Sequence, residues 1–218
     1  MTLTPTTPRG ERTRAKLIAA AEVVFAKHGY AEASVSRITE EAGVGQGTFY
    51  LYFASKLEIF EELVEDLNRR VRHAMTEAAA GAEDRIAAER AGFRAFFAFT
   101  AEHPALYRVV READVVRPKP LRLPHTRLVE GYIEALTAAR GAGEIGDIDP
   151  TVAAWALMGI GEMIGMRWVL WGDQQDGDAG DGADPFASGT QAVPEEVFEQ
   201  MMQFISGALR PSVRAVTE

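Results

Sequence analysis

The chain has 218 residues, 47% hydrophobic and 25% charged, enough apolar material to fill one or two cores. It contains no cysteine, which excludes disulfides, thiolate nucleophiles and cysteine-based zinc sites. The net charge of −9 is unevenly spread: residues 1–56 hold seven Lys/Arg against five Asp/Glu, and residues 57–218 hold sixteen against twenty-seven, so the acidic body repels DNA and any nucleic-acid contact falls to the mildly basic head.

Residues 1–10 are rich in Thr and Pro and read as a disordered arm. They contain no apolar run, so no secretory signal is expected and a cytoplasmic location follows. Residues 12–28 place Leu17, Ile18, Ala21, Val24 and Phe25 at helical spacing, and Gly29 is suited to a left-handed stop. Ser34 can cap a short helix carrying Val35, Ile38 and Ala42, which Gly43 ends. A second short helix covers about Gln46 to Tyr52. Ser55, Lys56, Leu57 and Glu58 read as a capping box that opens a helix with Leu57, Phe60, Val64, Leu67, Val71 and Met75 in steps of three and four. Extended to Ala80, it would be about 37 Å long, enough to join a head to a separate body.

Further helices are expected over about 84–101, 104–114, 121–140, 150–171 and 194–209. Pro104, Pro150 and Pro194 suit first helical turns. No alternating strand pattern of useful length is present, so the expected fold class is all-α. Thr151–Trp171 is largely apolar but holds Glu162 and Arg167, which favours a buried helix over a membrane span. Residues 172–193 read as a flexible loop rich in Gly and Asp. A calcium loop opened at Asp176 would need a closing Glu where Ala187 stands. His28, His73, His103 and His125 lack ligand spacing, so no metal is expected, and no cofactor.

The two short helices joined at Ala42-Gly43-Val44 have the makings of a helix-turn-helix. Gly43 permits the positive φ of a tight turn, while Ile38, Val44 and Phe49 can fix the angle between the helices. The second helix offers Gln46, Gly47, Thr48, Tyr50 and Tyr52. Gln can pair with adenine, Thr can touch a thymine methyl, and Tyr50, Tyr52 and Lys56 can reach phosphates. Arg9, Arg12 and Arg14 can follow the backbone or enter a minor groove. Taken alone, the turn is equally an ordinary helical corner.

The run from Arg14 to Val64 closely resembles the N-terminal domain of tetracycline-repressor (TetR) family regulators. The resemblance rests on Phe25 with Gly29-Tyr30, Ile38 with Ala42-Gly43-Val44, Gly47-Thr48-Phe49-Tyr50-Leu51-Tyr52-Phe53, and Ser55-Lys56. It implies a helix-turn-helix domain over 11–56 and a helical ligand-binding and dimerisation domain over 57–210. It also implies that Gln46, Gly47, Thr48, Tyr50, Leu51 and Tyr52 face DNA bases, that Lys56 clamps a phosphate, and that Ser34, Ser36 and Arg37 meet the backbone. Phe49 and Phe53 match core positions. Gln46 stands where many members have Lys or Arg, and Leu51 where many have an aromatic ring or His, so base reading gains weight over phosphate attraction.

Beyond about residue 75 the resemblance fades and the reading is physical. The last helix has an apolar stripe wider than one buried face requires, which points to a partner subunit. The expected dimer interface is Ala154, Gly161 and Gly165 with Phe198, Met201, Met202, Ile205 and Leu209. The expected pocket, for a small apolar or amphipathic ligand, is lined by Phe93, Phe96, Phe97, Tyr107, Trp155, Met158, Glu162 and Met166, with Glu162, Arg108 or Arg111 as polar anchor. The partners expected are therefore double-stranded DNA, a second copy of the chain and that ligand, and no membrane. No phosphate loop, nucleophile elbow or His-carboxylate motif is present, so no enzyme is expected. The remaining rival is a ligand-binding or protein-interaction module that does not bind DNA.

Overall fold

A computed structural model describes residues 7–116, 122–171 and 191–211. The helices are α1 (Pro8–Glu32), α2 (Val35–Glu41), α3 (Gln46–Tyr52), α4 (Lys56–Ala79), α5 (Arg85–Glu102), α6 (Ala105–Val116), α7 (Arg122–Gly141), α8 (Pro150–Gly165) and α9 (Glu195–Leu209). No strand occurs among the described residues, and none of their helices is long and apolar enough to cross a membrane.

Local chemistry sets the helix limits. Thr7 caps α1 by accepting from Gly10 N–H at 3.2 Å, so helix begins inside the segment read as an arm. Gly29 breaks α1 at φ 68° and ψ 175°. Ser34 caps α2, accepting from Arg37 N–H at 3.2 Å. At its other end Gly43 has φ 64°, its N–H bonds Glu40 O at 3.1 Å, and Val44 N–H bonds Thr39 O at 3.0 Å. That pair of bonds is a Schellman stop, which needs a left-handed residue and so favours glycine. Ser55 accepts from Glu58 N–H at 3.1 Å, while the Glu58 carboxylate reaches Ala54 N–H, one residue earlier than a standard capping box. Asp149 caps α8 by accepting from Thr151 and Val152 N–H, and these two bonds hold its carboxyl below the usual range.

α8 is not a uniform helix to its end. Residues Met166–Leu170 widen into a π turn, closed by Trp171 N–H on Met166 O at 3.0 Å.

The chain packs as two units, residues 1–69 with 103–124, and residues 70–102 with 125–218. This division differs from a boundary after residue 56: the first half of α4 and all of α6 pack with the helix-turn-helix. In the first unit Leu17, Phe25, Ile38, Phe49, Phe53, Ile59, Phe60 and Leu63 are buried. Phe25, Tyr30 and Phe60 form a ring cluster, with Phe60 4.8 Å from Tyr30 and 5.2 Å from Phe25. In the second unit Phe93, Phe97, Leu136, Leu157, Phe198, Met202 and Ile205 share one core. Residues 1–6, the Gly/Asp-rich segment 172–190 with its candidate calcium loop, and the side chains of Arg111 and His125 lie outside the described residues.

Candidate nucleic-acid interface

Phe49 and Phe53 anchor α3 by pointing into the core of the first unit, with ring centroids 5.7 Å apart. Helical spacing then turns Gln46, Gly47, Tyr50 and Leu51 outward, and all four are exposed, while Thr48 and Tyr52 are half-buried beside them. On α2, Ser36 and Arg37 are exposed and Ser34 is half-buried at the cap. The result is a polar, partly aromatic surface on a helix whose opposite side is locked by two phenylalanines. Desolvation, then the positive charges of Arg37, Lys27 and Arg108, hold His28 below the ordinary imidazole value, so it is uncharged at neutral pH.

Two cations stand elsewhere than the sequence suggests. Arg14 pairs with Glu62 at 3.0 Å and lies 5.2 Å from the centre of the Phe53 ring, leaving Arg9 and Arg12 as the exposed arginines of the first turns. The Lys56 ammonium donates to Tyr30 O at 2.6 Å, Ala33 O at 2.8 Å and Ala31 O at 3.3 Å, and sits 4.4 Å from the Tyr30 ring centre. An ammonium has three N–H donors, and these carbonyls take them. The phosphate clamp expected at Lys56 is corrected to a cap on the carbonyls that the Gly29 break leaves open.

Residues 17–63 match the family described as bacterial regulatory proteins, tetR family. Over these residues the chain is similar to the N-terminal domain of that family. The HTH-type transcriptional regulator YdgC of Bacillus subtilis is 45% identical over 64 residues, 29% of this chain and 33% of that protein. The HTH-type transcriptional activator FasR of Mycolicibacterium smegmatis is 35% identical over 113 residues, 50% of this chain and 49% of that protein. The chain thus aligns with a third to a half of the length of these relatives. The transcriptional regulator FadR from Bacillus subtilis, solved in complex with stearoyl-CoA, shares the fold: TM-score 0.67 and 22% identity, over 90% of this chain and 99% of that one.

The remaining expectations concern the ligand pocket and the dimer interface. Phe93, Phe97 and Met166 are buried, and Phe96 and Met158 are half-buried against the core. Tyr107 belongs to the first unit. Trp155 and Glu162 are exposed on α8, so Glu162 has no buried charge to compensate. Arg108, also in the first unit, is engaged by Ala26 O at 3.0 Å.

The residues expected at a dimer interface pack inside the second unit. Ala154, Gly161, Gly165, Phe198, Met201, Met202, Ile205 and Leu209 are all buried within the single chain. A β-carbon on Gly161 would lie 3.0 Å from the Phe93 ring, so this small residue makes room for an aromatic of the same chain. Among the described residues of the second unit, the large apolar side chains left outside are Val152 at 62% exposed, Trp155 at 53% and Met163 at 57% on α8, and Phe204 at 67% on α9.

Sequence reasoning missed a buried carboxylate. Glu89 on α5 is fully buried; its Oε1 accepts from Arg85 at 2.6 Å, and its Oε2 accepts from the Tyr132 hydroxyl of α7. Burial pushes its carboxyl above the usual range, against the pull of Arg85 and the hydroxyl bond. The i, i+4 spacing of Arg85 and Glu89 was a visible signal, but Tyr132 lies 43 residues on and no local pattern announces it.

Proposed function

We propose that the chain is a transcriptional repressor that reads a two-fold-symmetric operator as a homodimer and leaves it when a small apolar or amphipathic ligand binds. The carrying observation is the outer surface of α3: Gln46, Gly47, Tyr50 and Leu51 stand exposed on a helix fixed from behind by Phe49 and Phe53. Gln46 pairs with adenine, Leu51 and Thr48 take thymine methyls, and Ser34, Ser36, Arg37, Tyr50 and Tyr52 orient the helix on phosphates. Repulsion between DNA and the acidic body confines the contact to this head.

The exposed apolar residues of α8 and α9 support dimerisation. Val152, Trp155 and Met163 fall on one face of α8, since steps of three, eight and eleven residues, at about 100° each, keep within roughly 80° of one another. Isolated exposed apolar residues are common, but a whole face of them calls for a cover. A second copy brings the second α3 that a symmetric operator needs, about 34–36 Å away. The ligand class is supported by the stearoyl-CoA complex of the similarly folded FadR and by the aromatic and methionine side chains of α5 and α8. Release requires that the ligand favour the non-binding arrangement by a few kcal/mol. The regulator works in the cytoplasm. A second reading, activation, is favoured by the name of the 35% identical relative, an activator.

Two measurements test the proposal. A gel shift with the DNA upstream of the chain's own gene should give a sequence-specific complex that weakens with salt; binding no tighter than to random duplex would refute it. Native mass spectrometry should find a dimer, with a retained apolar molecule in some preparations. A single-chain mass at all concentrations would remove the two-fold mechanism.

A further inference from the structure

Helix α6 lies outside residues 17–63, the segment that matches the DNA-binding family, yet it packs in the same unit as that segment, against α1. Polar contacts join the two. The His103 Nδ1 stands 2.6 Å from Glu22 Oε1, the Arg108 Nη1 donates to Ala26 O at 3.0 Å, and Tyr30 N–H donates to Glu112 Oε2 at 2.6 Å. The last two fall on either side of Gly29, where α1 breaks. A β-carbon there would meet Glu112 Oε1 at 2.5 Å and Arg108 Nε at 3.1 Å, so the Glu112 carboxylate occupies the space that any other residue would fill.

The Tyr30 residue is thereby held by both of its backbone polar groups. Its N–H is taken by Glu112 from α6, and its C=O by Lys56 from α4. Four positions later Ser34 caps α2, and α2 leads through the Gly43 turn into α3. The short connection 29–34 thus sets where the helix pair starts, and a carboxylate 82 residues distant from Tyr30 holds it.

We propose that Glu112 is a positioning residue for DNA binding: without touching DNA, its carboxylate fixes the 29–34 connection so that α2 and α3 approach the groove as one body. The inference rests on the DNA-binding reading of α3. It has a distinctive sign. Removing a negative charge beside a DNA-binding surface raises affinity for a polyanion when electrostatics alone acts. Loss of positioning lowers it.

The test compares full-length wild type with E112Q and E112D. The probe is a duplex selected from a random pool by the wild-type protein, and binding is followed by fluorescence anisotropy from 50 to 200 mM salt, well below every melting temperature. E112Q is expected to bind about tenfold more weakly, as loss of a charge-assisted hydrogen bond implies. The slope of log K against log salt stays unchanged, E112D recovers part of the affinity, and amide exchange speeds up over residues 29–35 but not over the rest of α1. E112Q binding as tightly as wild type or tighter overturns the proposal, whatever its melting temperature, and so does weaker binding with no change in exchange at 29–35. Failure of the wild type to select any duplex sinks the DNA-binding reading itself, a separate result from a wild type that binds alongside an E112Q that binds equally well.

Discussion

Arg37 and Lys56 are both cations beside the helix pair, and their surroundings give them different roles. Arg37 is exposed on α2, with its guanidinium available to a phosphate. Lys56 is half-buried, with its donors spent on the carbonyls of Tyr30, Ala31 and Ala33. Arg37→Ala should therefore weaken binding to every sequence alike and lower the salt slope by about one unit. Lys56→Ala should leave that slope unchanged and instead cost about 1–2 kcal/mol of stability, because carbonyls at the end of α1 lose a charged donor. Salt-titrated anisotropy and urea unfolding, run on both variants, separate the two roles. A slope that falls by one unit for Lys56→Ala would restore that residue to the phosphate contact. Gln46→Ala belongs to a third class: it should change which bases are preferred and leave the salt slope as it was.

Helix α2 depends on its cap, because a seven-residue helix has little internal cooperativity to hold it. Ser34→Ala removes the acceptor for Arg37 N–H and should cost about 1 kcal/mol by thermal or urea unfolding. Ser34, Gly43 and Pro150 made such limits legible in the sequence, because caps and stops are local chemistry written in adjacent residues. What was not legible depends on distant partners. The stripe on α9 is wide, and periodicity alone does not say which flank meets the chain's own core. Phe198, Met202 and Ile205 turned inward and Phe204 outward. The carbonyls that engage Lys56 exist only because α1 breaks at Gly29 and α4 returns beside it. The α5–α7 tie at Glu89 was hidden in the same way, and it carries a pH signature. Its folded carboxyl titrates above the ordinary value, so its stabilising contribution is present in the protonated form, below about pH 4.3, and is lost as pH rises through the folded value. Glu89→Gln mimics the protonated form. The stability of wild type relative to this variant should fall as pH rises from about 4.5 toward 7, read from melting temperatures across that range. A gap that widens in favour of wild type at higher pH would reverse the assignment.

At the scale of the molecule, the proposed function requires an acidic body to bring two mildly basic heads to one duplex, so association of copies would make weak single contacts sufficient. Phe204 is the sharpest probe of that association, since it is the most exposed large apolar side chain on α9 and makes no part of the chain's own core. Phe204→Arg should leave the fold intact, because nothing within the subunit is unpacked, while a buried guanidinium at a two-fold contact meets its own copy and lacks a counter-charge. The expected result is unchanged helicity, a solution mass of one chain, and a salt slope for DNA binding reduced to about half, since one head meets half the phosphates. Met202→Ala is the converse case. It opens a cavity in the core and should cost about 2–5 kcal/mol of stability without moving the salt slope of whatever protein remains folded. Sedimentation of both variants at matched concentration decides between the two faces of α9: a Phe204→Arg protein that stays dimeric would place the two-fold contact elsewhere on the chain.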